Sequence, residues 1–508
     1  MSDKVGTVFN FLQLPDVHQF SFVIDKLTND IMVKKGQFVC TDTIEGFLIG
    51  MVEKIILSNE YFSDALTIKA YNSSSNPNII KGLFPSDEFE YAIAIVKNLG
   101  IIKFNDEDKD KIKSIKRMTY PASPGKKVFL VETNILKKFI GLDYEDGLNI
   151  GNLKIANIEA KININRLLNK HLSILSISGG GKSYLTSIIL EELLARPNSI
   201  GTPAIVLIDV HGEYTYLKSI PELQDKIKLF DGLYLQISVP QMNAYSFRKY
   251  QAQITSVQVR ELNKYIKKLK QDKSKKNNYS LSDIITLIDE ETDGNKSTRQ
   301  ALIGWLTDLE RLNVFGTQEN PILKNSIKPG ELTIFNFQNE ISIRKKQILV
   351  DYLCNRLFHM RRLDELPPFL IIIEEAHQFC PEAAQSKAIS KSIIETIARE
   401  GRKFMACLCL ISQRPKKLSS TALSQMNSKM VLNIKNPYDL KHLMDSSEAI
   451  TKEYADMISS LGVGETLLMG NAINYPIFIE IRPRKYKSKV EDLTLSQVCL
   501  KWNDKQLF

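Results

Sequence analysis

The run Ser176-Ile177-Ser178-Gly179-Gly180-Gly181-Lys182-Ser183 constrains this chain more than any other feature, because it sits between an apolar segment and an amphipathic one. Upstream, Leu172, Ile174, Leu175 and Ile177 read as a short buried strand. Downstream, Leu185, Ile188, Ile189 and Leu193 recur at helical spacing. Strand, glycine turn and helix in that order form a phosphate-binding loop. Gly179, Gly180 and Gly181 let the backbone curl so that successive amide N–H groups and the positive end of the helix face a polyphosphate. Lys182 reaches the β- and γ-phosphates, and the Ser183 hydroxyl is placed to ligate Mg²⁺. The nucleotide-contacting stretch therefore runs from Ser178 to Tyr184. One position departs from the general pattern G-x-x-x-x-G-K-[ST], since Ser176 stands where the first glycine is usual.

A site that hydrolyses a nucleotide also needs a metal partner and a group that orients water. Phe369, Leu370, Ile371, Ile372 and Ile373 make a continuous apolar run, as in a strand buried on both faces of a parallel sheet. It ends in Glu374-Glu375-Ala376-His377, which puts two carboxylates at the strand tip where ligands bind. Glu374 is assigned to the Mg²⁺ shell and Glu375 to polarising the attacking water; the plain alternative is a solvated acidic pair. Ala204 to Asp209 forms a second acidic strand end, followed by Val210-His211-Gly212-Glu213-Tyr214. Asp209, His211 and Glu213 are then candidates for the nucleotide pocket, or else a polar turn closing a strand.

Farther on, Ala406 to Ile411 is an apolar run ending in Ser412-Gln413-Arg414-Pro415. Gln413 at its tip is placed like a polar sensor of the γ-phosphate or the lytic water. Just upstream, Arg399 and Arg402 are three apart and so on one side of a helix. Either could offer a guanidinium to the nucleotide of a neighbouring subunit, and either could be an ordinary surface or ion-paired arginine.

In combination these segments resemble the HerA family of hexameric DNA-translocating ATPases, within the HerA/FtsK group. The family's Asp-x-His-Gly-Glu-Tyr corresponds to Asp209 through Tyr214, and its Glu-Glu-Ala-His to Glu374 through His377. Its Ile-Ala-Arg-Glu-Gly-Arg-Lys block is similar to Ile397 through Lys403, and its Ser-Gln-Arg-Pro to Ser412 through Pro415. Leu423 to Asn427 and Asn436 to Leu440 look like further landmarks. The loop departs from the family's pattern, with Ser178-Gly179-Gly180 where Thr-Gly-Ser is usual. The resemblance implies an α/β fold: a RecA-like P-loop ATPase core with a mainly parallel sheet, an N-terminal small β-barrel and a helical insertion. It also implies ATP and Mg²⁺ as cofactors, a homo-hexamer acting on double-stranded DNA, and a NurA-like nuclease or another effector enzyme as partner. The catalytic set would then be Lys182, Glu375 and Gln413, with Arg399 or Arg402 acting from the next subunit.

The rest of the chain fits this division. From Val5 to about Asn165, short β-rich runs suggest a small barrel: Val8 to Leu14, Phe20 to Ile24, Gln37 to Cys40, Phe47 to Val52, Leu66 to Tyr71, Tyr91 to Val96 and Val128 to Val131. Asn105 to Arg117, dense in Asp and Lys, reads as a polar linker or exposed loop. Expected domains are residues 1–165 for the barrel, 166–239 with 328–481 for the core, 240–327 for the insertion and 482–508 for a tail. The insertion carries Lys264, Lys267, Lys268, Lys270, Lys273, Lys275 and Lys276, which either line a DNA channel or are solvated helix ends. The net charge of +9 is compatible with a polyanionic partner without requiring one. Six cysteines show no paired metal spacing. With no signal peptide and no apolar run near the length of a membrane span, the expectation is a reduced, cytoplasmic protein without a membrane partner.

Overall fold

The computed structural model describes residues 4–10, 14–25, 33–59, 62, 64–73, 90–105, 112–142, 144–154, 158–272, 278–292, 295–382, 388–447, 450–486, 496–497, 499–500 and 502. The chain divides into two units. One comprises Met1–Glu145, Asn152–Lys161 and Ile473–Tyr475; the other comprises Asp146–Gly151, Ile162–Ala472 and Pro476–Phe508.

The first unit holds a barrel built from β1 (Lys4–Phe9), β2 (Gln19–Ile24), β3 (Phe38–Thr43), β4 (Gly46–Asn59), β5 (Glu90–Phe104), β6 (Ile112–Lys116) and β7 (Lys127–Leu130). Neighbours run β2-β1-β7-β3-β4-β5, and β2 pairs again with β5, so six strands close on themselves and β6 extends the end of β5. Closure removes the unpaired edges an open sheet would expose. Phe20, Phe22, Val39, Leu48, Val96 and Val128 fill the interior. Register shifts at Ile49/Gly50 and Val52/Lys54 bend the long β4. Gly50 is required at the first of them, since a Cβ there would lie 2.3 Å from Val96 Cγ1.

Two expectations for this region fail. Leu66 to Tyr71 is not a strand but part of a helix, Ala65–Ser73; Asp64 accepts from Leu66 N at 3.3 Å in its first turn, and Leu66 remains 73% exposed instead of pairing in a sheet. The end of the Asn105–Arg117 segment is strand β6, antiparallel to β5, and not a linker; residues 106–111 lie outside the described residues, as do 11–13 of the run expected at Val8 to Leu14. The unit also contains β9 (Glu159–Ile162) through Lys161.

In the second unit the strands are β8 (Leu148–Leu153) through Gly151, β10 (Leu172–Leu175), β11 (Ala204–Asp209), β12 (Ile227–Asp231), β15 (Leu332–Asn336), β16 (Phe369–Ile373), β17 (Ala406–Ser412), β18 (Ser428–Val431), β19 (Glu465–Gly470) and β20 (Ile477–Ile481). Their order is β12-β15-β11-β16-β17-β10-β18-β19-β20-β8. From β12 to β18 every pairing is parallel, and β19 and β20 return antiparallel. The continuous apolar runs of β11 and β16 fit this, because every residue of both strands is buried. Parallel pairing also brings the C-terminal tips of β10, β11, β16 and β17 to one edge, where the sequence places its polar residues.

The insertion is helical at Ala244–Tyr250, Ser256–Gln271, Leu281–Asp289 and Lys296–Glu310, with the short parallel pair β13 (Ile237–Ser238) and β14 (Phe315–Gly316) beside it. Thr255 with Gln258, and Ser280 with Asp283, form capping boxes that start two of these helices. Phe247, Leu262, Ile284, Leu302 and Leu306 belong to the same core as Phe335 and Ile371, so the insertion is packed as part of this unit. Two of its lysines are engaged within the insertion: Lys264 with Glu261 at 2.8 Å and Lys268 with Glu291 at 2.7 Å. Lys273, Lys275 and Lys276 lie outside the described residues.

Candidate active site

The phosphate loop leaves β10, which lies between β17 and β18 toward one side of the parallel part of the sheet. Its strand-side end is tied to both neighbours: Ser176 N donates to Ser412 O at 3.3 Å and Ile177 N to Asn433 O at 3.1 Å. The turn uses left-handed backbone at Gly179 (φ 71°) and Gly181 (φ 91°), and helix Lys182–Ala195 begins directly after it. Ser176 explains its own departure from the glycine pattern. It is buried, its Oγ donates to Ile177 O at 2.7 Å, and a Cβ at Gly180 would come within 2.6 Å of that Oγ. The serine thus forms the floor of the turn and Gly180 leaves room for it.

Lys182 folds back over the loop, with Nζ 3.1 Å from Ile177 O. Burial pulls its ammonium below the usual lysine range, against the opposing pull of Glu375, Glu213 and Glu374. Ser183 follows in the first helical turn and Tyr184 is partly exposed beside it.

Opposite the loop stand the acidic strand tips. Glu374 is 4% exposed and its Oε2 accepts from Val210 N at 3.1 Å. Burial, then the neighbouring charges of Asp209 and Glu213, push its carboxyl up to about 9. Asp209 is fully buried, and burial raises its carboxyl as well. Its oxygens are used by its own turn: Oδ1 accepts from Gly212 N at 2.7 Å and Glu213 N at 3.1 Å, and Oδ2 from Tyr214 N at 3.0 Å. Asp209 therefore shapes the loop that carries the exposed His211 and Glu213. Three acidic side chains, Glu375, Glu213 and Glu374, act on the Lys182 ammonium, and Asp209 adjoins Glu374. That excess of negative charge suits a divalent ion, and Ser183 with Glu374 are the side chains that could hold one against a nucleotide, since Mg²⁺ binds through one or two protein ligands plus phosphates.

Glu375 has left-handed backbone at φ 47°, a conformation seldom taken by a residue with a side chain. The turn aims its carboxylate back toward β17. Gln413 Nε2 donates to Glu375 Oε2 at 3.2 Å, and His377 Nδ1 lies 3.2 Å from the same oxygen. Burial raises the Glu375 carboxyl while Lys182 opposes it. His377 also meets Ser412 Oγ at 3.2 Å, and burial beside Arg414 and Lys417 holds its imidazole down to about 4. Neither His377 nor Ser412 was given a role from the sequence, although both lie inside the motifs that located Glu375 and Gln413. The structure makes them the support on which the carboxylate rests.

Arg399 and Arg402 are not part of this cluster. Both are exposed, and among the described residues neither forms an ion pair. They precede β17, whereas Gln413 follows it; seven residues of strand separate the two ends by roughly 23 Å. Neither arginine can serve the phosphate loop of its own chain. Their segment is fastened instead to the start of β10 by His171, whose Nδ1 accepts from Leu408 N at 3.0 Å and whose ring also bonds the Ala398 carbonyl. Periodicity does not mark His171, because its partners come from two distant segments.

A family model described as the central domain of helicase HerA matches residues 148–357. The "DNA double-strand break repair helicase HerA" of Pyrococcus furiosus is 27% identical over 533 aligned positions, covering 91% of this chain and 89% of that protein. Over most of its length the chain is similar to the HerA helicases. A probable helicase of Methanocaldococcus jannaschii is 29% identical over 492 positions, covering 92% of this chain and 89% of the relative. Among solved structures, VirB4 of Thermoanaerobacter pseudethanolicus aligns with a TM-score of 0.53 at 13% identity, over 68% of this chain and 99% of that one, which shows the shared fold. The HerA model ends at Leu357, short of Glu374, Glu375 and Gln413, yet β16 and β17 set these residues beside the phosphate loop. The chain is a P-loop ATPase. No helix among the described residues is long and apolar enough to cross a membrane.

Proposed function

We propose that the protein is an ATP-driven translocase of double-stranded DNA that works as a ring, a homo-hexamer, together with a nuclease of the NurA kind in DNA-end processing. The observation that carries the reading is the convergence of Lys182, Glu375 and Gln413 from three strand tips on one loop, with Arg399 and Arg402 presented at the opposite edge of the sheet. Water attacks the γ-phosphate in line with the departing diphosphate. Glu375 orients that water, Gln413 and His377 hold Glu375, and Lys182 offsets charge on the β- and γ-oxygens. Mg²⁺, held by Ser183 and Glu374, supplies further neutralisation of phosphate charge when bound.

The arginines support ring assembly, since a guanidinium on the far edge completes a site only when it belongs to a neighbour. Double-stranded DNA as the track is supported by the relatives named as DNA double-strand break repair helicases and by the net positive charge. The test is steady-state ATP turnover of the full chain with and without linear duplex. Stimulation by duplex is expected. Turnover indifferent to DNA would replace this reading with an ATP-binding ring that regulates an effector enzyme, of the kind used in antiphage defence.

A further inference from the structure

After β20 the chain continues as Arg482-Pro483-Arg484-Lys485-Tyr486 along helix Lys182–Ala195, the helix that begins at the phosphate loop. Two carboxylates in the C-terminal half of that helix anchor it. Arg482 Nη1 lies 3.1 Å from Glu191 Oε2 and Nη2 lies 2.9 Å from Glu192 Oε1, while Lys485 Nζ lies 2.9 Å from the same Glu192 oxygen. Glu191 also accepts from Lys485 N at 3.1 Å and Tyr486 N at 3.0 Å. Arg484, between these anchors, has no carboxylate partner among the described residues. It points along the helix toward the loop, with its guanidinium 4.2 Å from the centroid of the Tyr184 ring and its backbone N donating to Tyr184 Oη at 3.0 Å. Its Nε is buried without a hydrogen-bond partner.

This is a costly way to place a cation unless an anion comes to it. Stacking on an aromatic ring orients a guanidinium without neutralising it, and the tail's two neighbouring cations have taken both nearby carboxylates. Tyr184 directly follows Ser183, so it stands past the β- and γ-phosphate cradle, on the side where the α-phosphate and ribose leave the loop. We propose that Arg484, preorganised by the tail and by Tyr184, is a second cation of the nucleotide site from the same chain, binding the α-phosphate and ribose end of the bound nucleotide. The inference rests on the phosphate-loop reading of Ser178 to Tyr184. It separates Arg484 in function from Lys182, Gln413 and the arginines of the neighbouring subunit, because a group at the α-phosphate end does not distinguish ATP from ADP.

The experiment is equilibrium binding of fluorescent ADP and of a fluorescent non-hydrolysable ATP analogue to the full chain carrying Arg484→Gln, Arg484→Lys or Tyr184→Phe. Arg484→Gln is expected to weaken both nucleotides by a similar factor of about tenfold. Arg484→Lys should recover part of the loss, and Tyr184→Phe, which keeps the ring and removes the hydroxyl, should weaken both by a smaller factor. Unchanged affinity for both nucleotides in Arg484→Gln would overturn the proposal and leave the tail as a brace for the helix; loss confined to the ATP analogue would overturn it by placing Arg484 at the γ-phosphate. Lys182→Ala separates the two levels of the argument. If it too binds normally, the phosphate-loop reading itself has failed; if it abolishes binding while Arg484→Gln does not change it, only the role of Arg484 has failed. Unfolding midpoints without nucleotide, measured on each variant, show whether a loss comes from binding or from the helix.

Discussion

His171 offers a prediction whose size and sign can be worked from its surroundings. The residue is 2% exposed and immediately precedes β10, with φ 64°. Its Nδ1 accepts from Leu408 N at 3.0 Å, which leaves Nε2 as the protonated nitrogen facing the Ala398 carbonyl. Adding a proton at Nδ1 would set two donors against each other in a dry site. Burial accordingly holds the imidazole down to about 4, against 6.5 when unfolded. A histidine whose folded pKa is depressed contributes stability that is fully present above its unfolded pKa and is lost as pH falls through the folded one. The window is therefore pH 6.5 down to about 4, and the full contribution is roughly 3 kcal/mol, of which about 2 kcal/mol is lost between pH 7.5 and 5.

His171→Gln keeps an acceptor and a donor but cannot titrate. Urea unfolding followed by tryptophan fluorescence reports on the ATPase unit alone, since both tryptophans, Trp305 and Trp502, belong to it. At pH 7.5 the variant should be about 1–2 kcal/mol less stable from imperfect packing. Between pH 7.5 and 5 it should lose about 2 kcal/mol less than the wild type. Every other titrating group, including the depressed His377, is common to both proteins and cancels in the comparison. Equal losses in the two proteins would refute the reasoning and show that His171 is not held neutral by its site.

Three further outcomes follow from the same geometry. Gly401→Ala should destabilise this unit by about 1–3 kcal/mol in the same denaturation assay, because its Cβ would lie 2.4 Å from the backbone oxygen of Ala406 and 3.2 Å from the His171 ring. Glu375→Gln should retain ATP in a filter-binding assay while its single-turnover hydrolysis falls by at least about a hundredfold; normal hydrolysis would remove Glu375 from the catalytic role. Mixing inactive Arg402→Ala subunits with inactive Lys182→Ala subunits should restore turnover, because one kind of mixed interface pairs an intact loop with an intact arginine. No recovery in mixed rings would exclude Arg402 as the residue acting across the interface, and the same mixture with Arg399→Ala would test the alternative.

The parts of the site that were legible in the sequence are those in which chemistry and fold coincide locally. A parallel strand buried on both faces must be apolar until it ends, so Glu374, Glu375 and Gln413 stand out as the first polar residues after β16 and β17. The glycines before Lys182 stand out for the same reason. What a residue does with its side chain was less accessible. Asp209 has the same sequence context as Glu374, but its carboxylate is occupied by Gly212, Glu213 and Tyr214 of its own turn. Support from a distance left no local pattern: His171 meets Leu408 across more than two hundred residues, and Arg484 meets Tyr184 from the far end of the chain. The helix at Ala65–Ser73 was misread because Leu66, Ile68 and Ala70 alternate as in a strand, whereas Leu66 and Ile68 face solvent. The tail lies in its described part along the phosphate-loop helix of its own chain.

The measurement that tests the central claim most directly is displacement of a third strand bound at a fixed distance from the end of a linear duplex, with ATP, by the wild-type protein and by Glu375→Gln. A motor that hydrolyses ATP with Glu375 and moves along duplex should release the third strand after a delay that lengthens with the distance from the end, and Glu375→Gln should release none. Release without ATP, or release by Glu375→Gln at the wild-type rate, would contradict the account, as would ATP turnover by the wild type with no release at any distance.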